Sequence, residues 1–244
     1  MKIVGYSERG AVNALLHEIF YSQSPERLLV ELLALARYRF PTHGAFRLDE
    51  ATILVEQSLS DFGDADAILL LRTDDGPMTV FLEARVKPAQ TRQWRIDEEY
   101  QQFFEGTASQ VSSSNVFTQL YHKVRFVSGL KSGGIAELQR GLPFPSSSTR
   151  PVRRIGHNQV VLRAVAQIEP FLQHVRYVAL VPDEPERVAT FFTTTLAAAG
   201  PPGYEGWDTG DYGFMCWAEV EAFCRRQGLL NTLRVLEFNM GQIY

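Results

Sequence analysis

The sequence predicts one α/β or α+β domain spanning residues 1–244. Three observations point there. Apolar runs of strand length alternate with segments of helical period along the whole chain. Turn and cap residues separate the two kinds of segment. Composition is that of an ordinary folded, soluble protein, with 45% hydrophobic and 21% charged residues. A chain of 244 residues can bury roughly 70% or more of its surface and needs no covalent staples.

The elements follow in order. Ser7 can cap a helix whose apolar positions Val12, Leu15, Leu16 and Ile19 keep a helical period. Ser24, Pro25 and Glu26 form a second helix start, with a cap, a proline in the first turn and then an acid. The segment that follows, RLLVELLALARY, is nearly apolar. TILVEQSL (52–59), DADAILLL and MTVFLEARV read as three strands, the last two joined by RTDDGP, where Asp75-Gly76 is a hairpin signal. Residues 91–105 read as a helix with Trp94, Tyr100, Phe103 and Phe104 as apolar contacts. GTASQVSSSN breaks the pattern, and FTQLYHKVRFV is a further helix. SGLKSGG and PFPSSSTRP read as loops, NQVVLRAVAQI as a helix and VRYVALVP as a central strand. Asp183 and Pro185 start another helix, which ends at Gly200-Pro201-Pro202. YGFMCW is a last short strand, followed by a helix from Ala218 to about Gln227 that Gly228 stops. There is no internal repeat.

Composition also excludes. The net charge is −4, from 24 basic and 28 acidic residues. Contact with nucleic acid therefore requires a local patch rather than a generally basic protein. No apolar run approaches the roughly 20 residues of a membrane helix, and MKIVGYSERG lacks the apolar core of a signal peptide. The two cysteines, Cys216 and Cys224, are too few for a disulfide framework and read as reduced core thiols. A cytoplasmic location, away from any membrane, is expected.

The strand ends at 64–90 carry charge where an apolar core is expected. Asp66 opens AILLL, and Glu83, Arg85 and Lys87 follow MTVFL. Side chains alternate along a strand, so Glu83, Arg85 and Lys87 share one face at steps of roughly 6–7 Å. If Asp74 and Asp75 centre the turn, Asp66 faces Glu83. If Asp75 and Gly76 centre it, Asp66 faces Arg85 and lies diagonal to Glu83. In either register the two carboxylates share a face and repel unless a cation lies between them. A hard cation such as Mg²⁺ would serve, and so would Arg85.

Ala65-Asp66, followed across a short hairpin by Glu83-Ala84-Arg85, resembles the signature of the PD-(D/E)XK nuclease superfamily. Glu8 in YSERGAVNALL, Glu56 in LVEQSL, Gln101 and Gln102, and the segment YVALVPDEP are similar to features that surround that signature. The resemblance implies an α/β fold of the restriction-endonuclease-like kind, a mixed central sheet flanked by helices on both sides. It also implies hydrolysis of nucleic-acid phosphodiester bonds, DNA favoured, with Mg²⁺ or Mn²⁺ as cofactor. Asp66 and Glu83 would hold the metal beside the carbonyl of Ala84, with Glu8 or Glu56 completing the site. A homodimer is compatible with it.

One residue departs from the pattern: the lysine position holds Arg85. Arginine keeps the charge and grips phosphate, but it cannot lose its proton and its fork is wider. Lys87, one strand repeat further out, is the other candidate for the lysine's part. From Arg85 to Arg95 the chain carries Arg85, Lys87, Arg92 and Arg95 with no acid, a phosphate track on which Trp94 could stack. Arg150, Arg153, Arg154 and His157 form a second basic cluster. Plainer readings stand beside these: a structural ion cluster at a strand end for Asp66, Glu83 and Arg85, and solvated faces for the rest. Two rival functions follow. One is a catalytically degenerate nuclease-fold module that binds nucleic acid or a protein partner. The other is a hydrolase using Asp66 and Glu83 as general acid and base, which needs a raised pKa that the neighbouring Arg85 opposes.

Overall fold

The computed structural model describes residues 7–39, 46–87, 93–105, 115–144, 150–196, 206 and 209–241. Two helices come first, α1 (Ser7–Phe20) and α2 (Pro25–Leu33), then β1 (Arg37–Tyr38) and the long β2 (Leu48–Ser58). A 3-10 turn at Ser60–Phe62 leads into β3 (Asp64–Thr73) and β4 (Gly76–Ala84). Next are α3 (Ile96–Glu105), α4 (Val116–Arg140), a small pair of strands β5 (Leu142–Pro143) and β6 (Val152–Arg153), and α5 (Gln159–Ile168). The chain continues through β7 (His174–Val181), α6 (Pro185–Thr194), β8 (Tyr212–Cys216), α7 (Trp217–Gln227) and α8 (Leu230–Phe238).

The main sheet has six strands in the order β1-β8-β7-β4-β3-β2. β2, β3 and β4 form an antiparallel meander, whereas β4, β7 and β8 run parallel and β1 is antiparallel to β8. The fold is therefore α/β with a mixed central sheet. Long helical crossovers carry the chain between the parallel strands, as such connections must. The sheet separates two apolar layers. Phe81, Ile68 and Ala179 belong to one, with residues of α3 to α6. Val80, Leu82 and Leu180 belong to the other, with residues of α1, α2, α7 and α8. The central strands are buried on both faces, which is why β3, β4 and β7 read as near-continuous apolar runs. Among the described residues no helix is long and apolar enough to cross a membrane.

Several local expectations are corrected. Residues of SGLKSGG continue α4 rather than forming a loop, and the helix is broken within itself at Gly134 (φ 63°, ψ −159°). The helix expected over 91–105 begins at Ile96, whose N–H donates to Asp183 Oδ2 at 2.9 Å. Ser24 precedes α2 as expected but makes no side-chain cap bond. Gly228 does end α7, in the left-handed conformation (φ 68°). The chain then restarts as α8, because Glu18 on α1 supplies the cap. Its carboxylate accepts from the Asn231 N–H at 3.0 Å and the Thr232 N–H at 2.7 Å. A cap borrowed from more than 200 residues away in the chain leaves no local sequence signal. Glu18→Ala should cost about 1–2 kcal/mol, the usual worth of an N-terminal cap, read as a lower urea midpoint. An unchanged midpoint would mean that packing alone holds α8.

Candidate active site at the end of the central sheet

The hairpin register decides what meets at the sheet end. Thr73 pairs with Gly76, so Asp74 and Asp75 centre the turn. Gly76 adopts φ +113°, which side-chain-bearing residues rarely tolerate. The pairing runs out to Ala67 with Leu82, and the next step outward sets Asp66 across from Glu83. The C-terminal ends of β7 and β8 reach the same end of the sheet, since both run parallel to β4.

Both acids are almost fully covered, with 6% of Asp66 and 2% of Glu83 exposed. Asp66 Oδ2 accepts the Ala84 N–H at 2.7 Å. Arg9 on α1 places Nε 3.4 Å from Asp66 Oδ1. Glu83 Oε1 lies 2.9 Å from Nζ of Lys123, a residue of α4 with no exposed surface. The same ammonium donates to the carbonyls of Asp64 (2.9 Å) and Phe62 (3.2 Å). Both the charge of Lys123 and its contact with the Glu83 carboxylate favour the ionised acid.

Arg85 lies just beyond the strand. Its N–H donates to Leu180 O at 2.8 Å, Nη1 donates to Ala84 O at 3.0 Å, and Nη2 donates to Gln119 Oε1. Trp217, at the start of α7, pins the Arg85 carbonyl through Nε1 at 2.7 Å. The match between β4 and α4 is geometric. Glu83 and Arg85, two residues apart on an extended chain, are separated by roughly 6–7 Å. Gln119 and Lys123, four apart on a helix, are separated by about 6 Å along its axis. The two pairs therefore meet rung for rung.

Burial pushes the Asp66 carboxyl above its ordinary range. The Ala84 N–H, Arg85 and Arg9 pull it down, and Glu8 pushes it up. Burial also raises Glu83, with Lys123 the strongest opposing influence and Asp66 adding to the rise. Arg85 was expected to hold these carboxyls down. It acts in that direction, but desolvation outweighs it for both acids.

The remaining expected site residues are dispersed. Glu8 is half-buried and close enough to act on Asp66. Glu56 is exposed at an irregular point of β2 (φ 49°), where it accepts from Asn13 Nδ2 at 2.5 Å. Lys87 is half-buried and makes no ion pair among the described residues. Arg92 lies outside the described residues. Trp94 is 8% exposed and packed in the core, which fits the apolar contact expected of it and corrects the expectation that it stacks on a base. Arg95 faces Glu98 at 3.5 Å. In the second basic cluster Arg153 lies over the Phe144 ring at 4.9 Å and donates to Asp61 O, while the backbone N–H of the exposed Arg154 donates to Asp61 Oδ2 at 3.2 Å. Cys216 and Cys224 are free and buried, their thiols pushed up to about 12 by desolvation.

Lys123 and Arg9 were not singled out by the sequence. FTQLYHKVRFV holds Lys123 beside His122 and Arg125, so nothing local set the lysine apart. Nothing local marked Arg9 either.

The donor set suits a hard cation in one respect. Asp66 and Glu83 are oxygen ligands whose burial and mutual repulsion a positive charge between them would relieve. Mg²⁺ commonly takes one or two carboxylates and keeps several waters, so two acids suffice. Among the described residues no group of three His, Cys, Asp or Glu is arranged to hold an ion. The Ala84 carbonyl, expected as a further ligand, already accepts from Arg85. Comparison with protein-family models, with curated proteins and with solved structures gives no match, so the reading of this site rests on its own geometry.

Proposed function

We propose that the chain is a Mg²⁺- or Mn²⁺-dependent phosphodiesterase of the restriction-endonuclease-like kind, acting on nucleic acid, with DNA favoured. The observation that carries this reading is the pair Asp66 and Glu83. They face each other across a hairpin end, nearly buried, with both carboxyls raised by desolvation. Burying two acids side by side is costly even with Lys123 and Arg9 beside them, because desolvation can exceed the gain from pairing.

Each chain residue then has a part. Asp66 and Glu83 would hold the cation, with Asp66 oriented by the Ala84 N–H. A divalent ion bound there would supply an activated water and neutralise charge developing on the phosphate. Lys123 holds Glu83 in place and favours its ionised form. Arg85, anchored to Ala84 O and Gln119, brings a second fixed positive charge to the same end of the sheet.

A second reading has its own observation. Arg9, Arg85 and Lys123 already balance much of the acidity at the site, as they would in a degenerate module that binds nucleic acid or a protein partner without cutting. A cleavage assay separates the two. The parent should nick or degrade DNA with Mg²⁺ or Mn²⁺, with Asp66→Asn as the blank. Arg85→Lys should lower the rate without abolishing it, because lysine keeps the charge but loses the planar fork that bonds both Ala84 O and Gln119. It should not raise the rate, because Lys123 already provides an ammonium beside Glu83. A parent that cuts no DNA or RNA with either metal would leave the module reading.

A further inference from the structure

We infer that Arg9 is the substrate-binding residue of this site, gripping a backbone phosphate at its mouth. The inference rests on the phosphodiesterase reading. Among the described residues three cations reach the acids, and their commitments differ. Lys123 is fully enclosed and shared among Glu83 and two carbonyls. Arg85 is tied to Ala84 O and Gln119. Arg9 has a side chain 47% exposed, and its guanidinium straddles Asp66 Oδ1 (3.4 Å) and Asp64 Oδ2 (3.7 Å).

Both Arg9 distances exceed the roughly 2.7–2.9 Å of a formed charge-assisted hydrogen bond. Arg9 makes no hydrogen bond among the described residues, so it is held by charge alone and its donors are uncommitted. An arginine has five N–H donors in a planar fork that matches a phosphate. The surrounding charges define the condition for binding. Glu8, Asp64 and Asp66 all face this region and would repel an anion. With a divalent ion on Asp66 that repulsion would be largely offset, and the carboxylate would no longer need Arg9 as its counter-charge. Phosphate binding through Arg9 is therefore cation-dependent, and under the phosphodiesterase reading the ligand is a nucleic-acid strand.

The test is fluorescence anisotropy with a labelled DNA duplex, in Ca²⁺ to keep the duplex intact, across a salt series. The parent should bind more tightly in Ca²⁺ than in EDTA. Arg9→Gln should bind several-fold more weakly in Ca²⁺, with a salt slope lower by about one unit, the mark of one lost phosphate contact. Arg9→Lys should keep the slope. If the parent cleaves DNA but Arg9→Gln matches it in affinity and slope, the inference about Arg9 fails while the phosphodiesterase reading stands. If the parent neither binds the duplex nor cleaves DNA or RNA, both fall together.

Discussion

Asp66→Asn should abolish metal-dependent cleavage and Mn²⁺ binding, and should make the protein more stable at neutral pH. The amide keeps an oxygen to accept the Ala84 N–H, so the strand end stays in place. What is lost is a negative charge that burial disfavours and that a cation would need. The pH dependence has a definite sign. The Asp66 carboxyl is raised in the folded protein, so the folded state holds this proton more tightly than the unfolded chain does. Its stabilising contribution is full below the unfolded-state pKa of about 4 and is lost as pH rises through the higher folded value. Asparagine does not titrate. The stability of Asp66→Asn relative to the parent should therefore increase from about pH 4 toward neutrality, seen as diverging urea midpoints. The half-exposed contact from Arg9, at 3.4 Å, offsets this little. A variant that binds Mn²⁺ by calorimetry as well as the parent would sink the site. Stability gained where function is lost is common for buried charge kept at an active site.

The hairpin was the most legible part of this molecule. Strand parity alone placed Asp66 and Glu83 on one face, and the observed turn selects the register in which they are directly opposed. The central strands declared themselves by apolar runs, and the α/β class by their alternation with helices. Lys123 was illegible because its partner Glu83 lies 40 positions earlier in the chain, and only the packing of α4 on the sheet joins them. Arg9 reaches Asp66 for a similar reason, through the placement of α1. The expectation that Trp94 stacks on a base failed because an aromatic beside basic residues has the same local pattern whether it stacks on a ligand or anchors a helix in the core, and here the core takes it. The raised carboxyls depend on burial, which a sequence cannot weigh against one neighbouring arginine.

Lys123→Met should destabilise the fold by about 3–5 kcal/mol, because it leaves Glu83 charged in the interior with its buried partner gone. The carbonyls of Phe62 and Asp64 would lose a donor as well, which adds to the cost. The penalty should grow with pH. With Lys123 gone, the strongest influence holding the Glu83 carboxyl down is removed, so its folded pKa rises further. Below the unfolded-state value of about 4 Glu83 is neutral in both states and the loss is smallest; as pH climbs through the raised folded value the loss becomes full. Adding Glu83→Gln should recover much of the stability, since a buried ion pair replaced by neutral groups of similar size is often close to neutral. The double variant should fold and yet fail to cut DNA, which separates the structural part of this pair from its part in the chemistry. If Lys123→Met unfolds at the parent's urea midpoint, or if the double variant cuts as fast as the parent, Lys123 does not hold Glu83 for catalysis and the site must be sought without it.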